Sequence, residues 1–439
     1  MYIDQTQTNP AQASQPLATK WRWGYVRRMA FYLLMLSMTL ALSGGSALPA
    51  TQARDRGMAM IVAGWGFDLL GWEAEAIAVK LRALLNQPAY GLAYTEAVSL
   101  VRQYLERAQQ IREIEKEINR SFAENQHKAT PEVKQRQAQI AALRAQQQQK
   151  RPVVEQIIEG QIAHELQQEG LEWADIALPP VQFTFVEPPR KLIVSPRDKI
   201  TTMYSEMLDA QMSIDQIEQS EAAYRQQYNV SAYITNIGGL GAFPTMVIDR
   251  AGLSWILSTV AHEWCHNYLT LFPLGLNYLT NADLTTINET VAEIVGNEIG
   301  DRALHTFYPD QVPPPPPEEP PAQPAPNAPT PFDFDQEMRE TRLRVDGLLA
   351  ARQVEAAERY MEVRRQFFVA HGYPLRVLNQ AYFAFHGSYG TSAASTSPIG
   401  PKLEELRTLT PNLHTFLQVV RGITSAEELD TVLADWQKR

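Results

Sequence analysis

The stretch Leu253-Ser254-Trp255-Ile256-Leu257-Ser258-Thr259-Val260-Ala261-His262-Glu263-Trp264-Cys265-His266 decides how the rest of this chain is read. It follows Gly252 and meets no Pro or Gly until Pro273 and Gly275, so it reads as one helix with both histidines near its middle. Residues i and i+4 of a helix point the same way about one turn apart, and His262 and His266 can therefore reach a single tetrahedral metal from one rigid rod. Glu263 is turned by about 100° from His262, which suits a group that touches water at the metal rather than the metal itself. Ser258, one turn earlier on the same face, leaves room there for water and substrate. Cys265 points off that face and reads as a small buried hydrophobe. The plainer reading of the same residues is a pair of core histidines, so the surroundings must decide.

A metal site that does chemistry needs three protein ligands and an open fourth position. Downstream, Thr285-Thr286-Ile287-Asn288-Glu289-Thr290-Val291-Ala292-Glu293-Ile294-Val295-Gly296-Asn297-Glu298 is a second helix-like run. Glu289 and Glu293, at i and i+4, share a face, and Ala292 and Gly296 on an adjoining stripe let this helix pack closely against the first. Acidic side chains on an otherwise apolar, close-packing face are costly to bury without a cationic partner. Glu289 and Glu293 therefore read as site residues rather than as a solvated acidic face.

Taken together, His262-Glu263-x-x-His266 and Asn288-Glu289-x-x-x-Glu293 resemble the paired motifs of the gluzincin metallopeptidases, thermolysin-like in plan. The resemblance implies zinc held by His262, His266 and Glu289, with Glu263 as general base and Glu293 as the acid that orients a histidine ligand. The family usually has Asp at the last position, so Glu293 departs from its pattern. Gluzincins also supply an oxyanion donor, a Tyr or His lying beyond the third ligand. Here the candidates are Tyr382, His386 and Tyr389, at i, i+4 and i+7, one face of a helix if helix persists through Gly387. Tyr389 is favoured over His386 because a phenol donates without needing to be protonated first. More narrowly, the chain from about residue 181 onward resembles a group of little-characterised bacterial aminopeptidases, in which an Asn- and Tyr-rich helical segment follows the metal motifs. Residues 378–390 stand in that place.

Upstream of the motif helix the period changes to two. Val181-Gln182-Phe183-Thr184-Phe185-Val186, Lys191-Leu192-Ile193-Val194 and Val230-Ser231-Ala232-Tyr233-Ile234-Thr235 read as strands, and Gly238-Gly239-Leu240-Gly241 links into a short strand before the motif helix. This order predicts a small mixed sheet whose last strand lines the cleft, with an edge open to an extended peptide. The glycines suit either a close approach of backbone or a simple hairpin turn. Ahead of the sheet, residues 100–118 and 132–171 carry apolar residues at helical spacing, with Pro131 placed to open a helix. They predict an antiparallel hairpin that serves as pro-region, membrane spacer or lid. Its apolar stripe is thin and interrupted by the glutamines at 146–149, which disfavours a sustained coiled-coil dimer. Beyond the motifs, 11 of the 20 residues from 312 to 331 are proline, an extended linker or loop. Residues 337–371 then predict one long amphipathic helix, and 403–433 two or three shorter ones.

The N-terminus bears on compartment. Basic and aromatic residues at 21–28 precede an apolar run, and residues 29–53 carry no charge. This pattern fits either a cleaved secretory signal or an uncleaved membrane anchor, and both leave the bulk of the chain outside, exported. Lys20, Arg22, Arg27 and Arg28 against Asp4 leave the first 53 residues at +3, so of the overall −10 the remainder carries −13. An acidic body of this kind offers no footprint for nucleic acid. A single cysteine excludes an internal disulfide framework.

The expected organisation is a tail with signal or anchor at 1–53, a helical region at 54–178, a catalytic core at 179–311, the proline-rich stretch at 312–331 and a helical region completing the cleft at 332–439. The fold class is α+β, predominantly helical. The expected function is an exported zinc metallopeptidase acting on a peptide or protein substrate, as aminopeptidase or endopeptidase. The contrasting reading is a membrane-anchored helical scaffold with a structural metal or none. Structural zinc usually takes four protein ligands and favours cysteine, which weighs against that alternative.

Overall fold

Ile256, Leu257, Val260, Ala261, Trp264, Cys265 and Tyr268 recur at helical spacing and turn one face of the motif helix into the largest apolar core of the molecule. The computed structural model describes Phe31, Met35 and residues 53–86, 89, 91–124, 131–173, 176–278, 280–314 and 332–439. Over them the fold is α+β and predominantly helical. The N-terminal stretch read as a signal or anchor lies outside these residues apart from Phe31, Met35 and residue 53, as does the proline-rich stretch from 315 to 331. No described helix is long and apolar enough to cross a membrane.

From the N-terminus come α1 (Ala53–Ile61), α2 (Leu69–Asn86), α3 (Tyr94–Glu124) and α4 (Pro131–Gln168). Strands β1 (Glu172–Trp173), β2 (Ile176–Ala177), β3 (Phe183–Phe185), β4 (Arg190–Pro196) and β5 (Tyr204–Leu208) lead to α5 (Ile214–Tyr228), β6 (Val230–Asn236), β7 (Gly239–Leu240) and β8 (Thr245–Val247). The motif helix is α6 (Leu253–Leu269), followed by the short α7 (Pro273–Leu276) and by α8 (Ala282–Phe307), which carries the glutamates. The C-terminal region holds α9 (Phe334–Ala350), α10 (Val354–Ala370), α11 (Gln380–His386), α12 (Ile399–Leu409), α13 (Leu413–Val420) and α14 (Ala426–Gln437).

The strands divide among three small sheets instead of joining one. β5-β4-β6 is antiparallel, β1 and β2 pair alone, and β3-β8-β7 is mixed, with β3 parallel and β7 antiparallel to β8. Because β3 docks on the far side of β8, the last strand is central, and the edge beside α6 belongs to β7, built from the Gly-rich link itself.

The helices α3 and α4 form an antiparallel hairpin pinned by Lys150 to Gln103 and Arg136 to Glu117. Its outer half has its own core of Ile111, Ile118, Val133 and Ile140, and its inner half joins the main core through Val154, Ile158, Ile162 and Leu166. Buried Lys80 of α2 meets Glu155 and Glu159 at 2.7 and 2.8 Å, while those carboxylates accept the backbone N–H of Phe185 and Phe183. Buried charges persist only when paired in this way. The triad docks the hairpin onto β3, and one apolar cluster then runs from Val101 to Leu433, through all three sections that the sequence punctuation separated.

Residues 337–371 fold as two helices, not one. The chain reverses at Arg352, whose φ of 59° is left-handed, and Met338, Val345 and Leu349 of α9 close onto Ala357, Met361 and Phe368 of α10. A single rod would have left both stripes in water.

Candidate metal centre

Helix α8 crosses α6 so closely that only glycine fits at the crossing. A Cβ on Gly296 would lie 2.8 Å from both His262 Cβ and the Ser258 carbonyl oxygen, and one on Gly300 would lie 2.6 Å from Ser258 Cα. Ser258 therefore sits in the helix–helix seam, and its small size serves packing rather than solvent. The crossing sets Glu289 of α8 against the two histidines of α6.

His262 Nε2 and His266 Nε2 lie 3.1 Å apart, and Glu289 Oε2 lies 3.6 Å from the first and 3.5 Å from the second. Donors held at about 2.1 Å in a tetrahedral shell are separated by about 3.4 Å. The three atoms thus already occupy three corners of such a shell. Glu289 Oε2 is buried without a hydrogen-bond partner, a costly state for a carboxylate oxygen that a cation relieves. His262, His266 and Glu289 can hold a metal ion.

Two neighbours orient these donors. His266 Nδ1–H donates to Asn288 Oδ1 at 2.7 Å, which sets the tautomer whose Nε2 lone pair faces the group. The Tyr278 hydroxyl donates to Glu289 Oε1 and leaves Oε2 for an ion. Asn288 was visible in the sequence only as the residue before Glu289, and Tyr278 lies in a connection without periodic signal, so neither role was legible. Burial opposes the charging of His266, but the Glu289 carboxylate outweighs it and raises the imidazole to about 9, so a metal ion taking the Nε2 lone pair displaces that proton. Burial likewise opposes ionisation of Glu289, yet the two imidazoles hold it well below the usual carboxylate range.

Glu263 is 6 % exposed, and its carboxylate makes no hydrogen bond among the described residues. Burial raises its pKa, with His262 and His266 pulling the other way. A Cβ on Gly239 would fall 2.3 Å from Glu263 Oε1, so the glycine in β7 serves the close approach of backbone to this carboxylate. Across the β7–β8 pair Ile248 N–H donates to Gly238 O at 3.2 Å. By antiparallel alternation Gly239 then turns its own N–H and C=O to the open edge.

Glu293 is directed elsewhere. Its half-buried carboxylate accepts from the Thr391 hydroxyl and lines an adjoining cavity, with no histidine as partner among the described residues. Helix α11 stops at His386, so Tyr389 does not share a helical face with Tyr382 and His386. The turn after α11 nevertheless carries Tyr389 to the donors, with its ring centre 6.3 Å from that of His262. The charge of Glu289, then burial, keep this phenol well above its ordinary pKa. Tyr382 and His386, ring centres 4.2 Å apart, wall the cavity instead, and burial lowers His386 to about 4. Cys265 is fully buried, as a small hydrophobe would be. Comparison of the chain with family models, with curated proteins and with solved structures finds no match.

Proposed function

We propose that this chain is a zinc-dependent peptidase of gluzincin type. The observation that carries the reading is the buried triangle of His262, His266 and Glu289, with the unpartnered, buried carboxylate of Glu263 beside it. Zinc bound to the three donors would supply Lewis acidity, which polarises a scissile carbonyl and acidifies water. Glu263 takes the proton of the attacking water on a carboxylate oxygen and passes it to the leaving amine. Tyr389, protonated at neutral pH, donates its hydroxyl to the oxyanion as that charge develops. The free edge of β7 aligns an extended substrate through the N–H and C=O of Gly239. A scaffold with structural zinc would call for a fourth protein ligand, and among the described residues the donor group has three. Export belongs to the same proposal and rests on the basic cluster and the uncharged run at 29–53.

Glu263→Gln tests it, because the change removes the base and no donor. Zinc content of the purified variant stays at the wild-type level while cleavage of a quenched-fluorescent peptide library falls to background. Retained turnover in the variant, or wild-type protein that binds no zinc, sinks the reading.

A further inference from the structure

A cavity of about 350 Å³ opens between α8, α9, α11 and the turn that follows α11, a size at the small end of ligand pockets. Tyr389 both lines this cavity and stands beside His262, so its contents lie next to the metal donors. The polar lining has one character. Glu293 presents a carboxylate steadied by Thr391, and Asp335 at the exposed rim presents another with no side-chain partner among the described residues. Tyr382 is 6 % exposed, yet its hydroxyl has no hydrogen-bond partner among the described residues. His386, kept neutral by burial, also leaves its ring nitrogens unused. Among the described residues no lysine or arginine lines the cavity.

This combination selects the occupant. An anion would face two carboxylates with no counter-charge, and a purely apolar group would leave the Tyr382 hydroxyl at the cavity and the Glu293 carboxylate without a ligand partner. A group that is positive and donates several hydrogen bonds satisfies the acidic and aromatic surfaces together. We propose that this cavity binds an organic cation of the substrate, its α-ammonium group or a lysine or arginine side chain, and so sets specificity beside the hydrolytic centre. The consequence for cleavage rests on the peptidase reading, whereas the binding itself does not.

Three amides that share an unbranched side-chain stem separate the sources. Norleucine amide carries only the α-ammonium, Nα-acetyl-lysine amide only the side-chain ammonium, and Nα-acetyl-norleucine amide neither. Calorimetry on the full chain at pH 7 is expected to show one or both cations binding and the neutral amide at least about ten-fold weaker, the loss of one charge-assisted hydrogen bond. Glu293→Gln and Asp335→Asn should each weaken the cation by a similar factor, with thermal unfolding as the check on fold. If Glu293→Gln fails to fold, the exposed Asp335→Asn still carries the test. A cation confined to the α-ammonium marks an aminopeptidase, and one confined to the side chain marks cleavage beside basic residues. Equal binding of the neutral amide, no binding of either cation, or cation affinity untouched by the folded variants overturns the proposal. Because binding is read without turnover, a wild-type protein inactive on peptides would remove the peptidase reading and leave this result standing.

Discussion

Gly296→Ala links helix packing to metal binding. The new Cβ would stand 2.8 Å from His262 Cβ and from the Ser258 carbonyl oxygen. Against His262 Cβ that is about 0.7 Å inside the ~3.5 Å at which carbon atoms meet. The obstructing atoms are backbone or bonded directly to it, so no change of rotamer relieves the clash, and α6 and α8 must separate. Donor distances tolerate only about ±0.2 Å. Both histidines ride on α6 and Glu289 on α8, so a separation of this size takes one donor out of range. Overpacking costs about 1–3 kcal/mol, offset by the ~1 kcal/mol of helix propensity gained on replacing glycine, which leaves a net loss of up to about 2 kcal/mol. Zinc affinity should fall by at least about ten-fold, comparable to losing a ligand-orienting contact. Thermal unfolding of metal-free protein reads the first effect, and competition with a chromogenic chelator reads the second. Gly347→Ala in α9, where a Cβ meets nothing within 4 Å, is the control. It should stabilise by up to about 1 kcal/mol and leave zinc affinity alone. A Gly296→Ala protein that binds zinc as tightly as wild type and unfolds no earlier would refute the idea that this crossing sets the donor geometry.

Asn288→Ala strands the Nδ1–H of His266 and should weaken zinc roughly 10- to 100-fold, whereas Glu293→Ala, which touches no histidine, should change affinity little. Chelator competition giving the opposite order would return the orienting role to Glu293. The two phenols should separate by readout: Tyr389→Phe lowers kcat by roughly 10²- to 10³-fold at unchanged zinc content, while Tyr278→Phe, which frees Glu289 Oε1, mainly weakens zinc. Unchanged kcat in Tyr389→Phe would move the oxyanion donor elsewhere. Away from the site, Glu298 accepts from Arg407 at 2.8 Å and Arg302 at 2.7 Å, and these guanidinium groups outweigh burial to hold its pKa below the ordinary value. Its stabilising effect is therefore complete above the unfolded carboxylate range near ~4.3 and is lost as pH falls through the lowered folded value. Glu298→Gln should destabilise at pH 7 by on the order of 1 kcal/mol, solvent screening included, and the gap to wild type should close in strong acid. Denaturant midpoints that differ equally at pH 7 and below pH 3 would contradict that assignment.

What the sequence determined by itself is whatever a single helix or strand settles internally. The four-residue step from His262 to His266 places two imidazoles on one side of α6 whatever surrounds it, and the apolar residues between them commit the opposite side to the core. The same local logic made α8 a buried helix with acids on it, opened α4 at Pro131, and made the chain α+β with helix predominant. Tertiary structure decided everything that depends on the distance between elements. Glu289 and Glu293 are equivalent by spacing, and it is the crossing at Gly296 and Gly300 that brings Glu289 to the histidines, with Glu293 reaching Thr391 instead. The reversal at Arg352, the edge position of β7, and the arrival of Tyr389 by a turn rather than along α11 were likewise not written in any local period. Periodicity gives directions about one axis, whereas the separation of two axes follows from which side chains interlock between them, and those lie far apart in the chain.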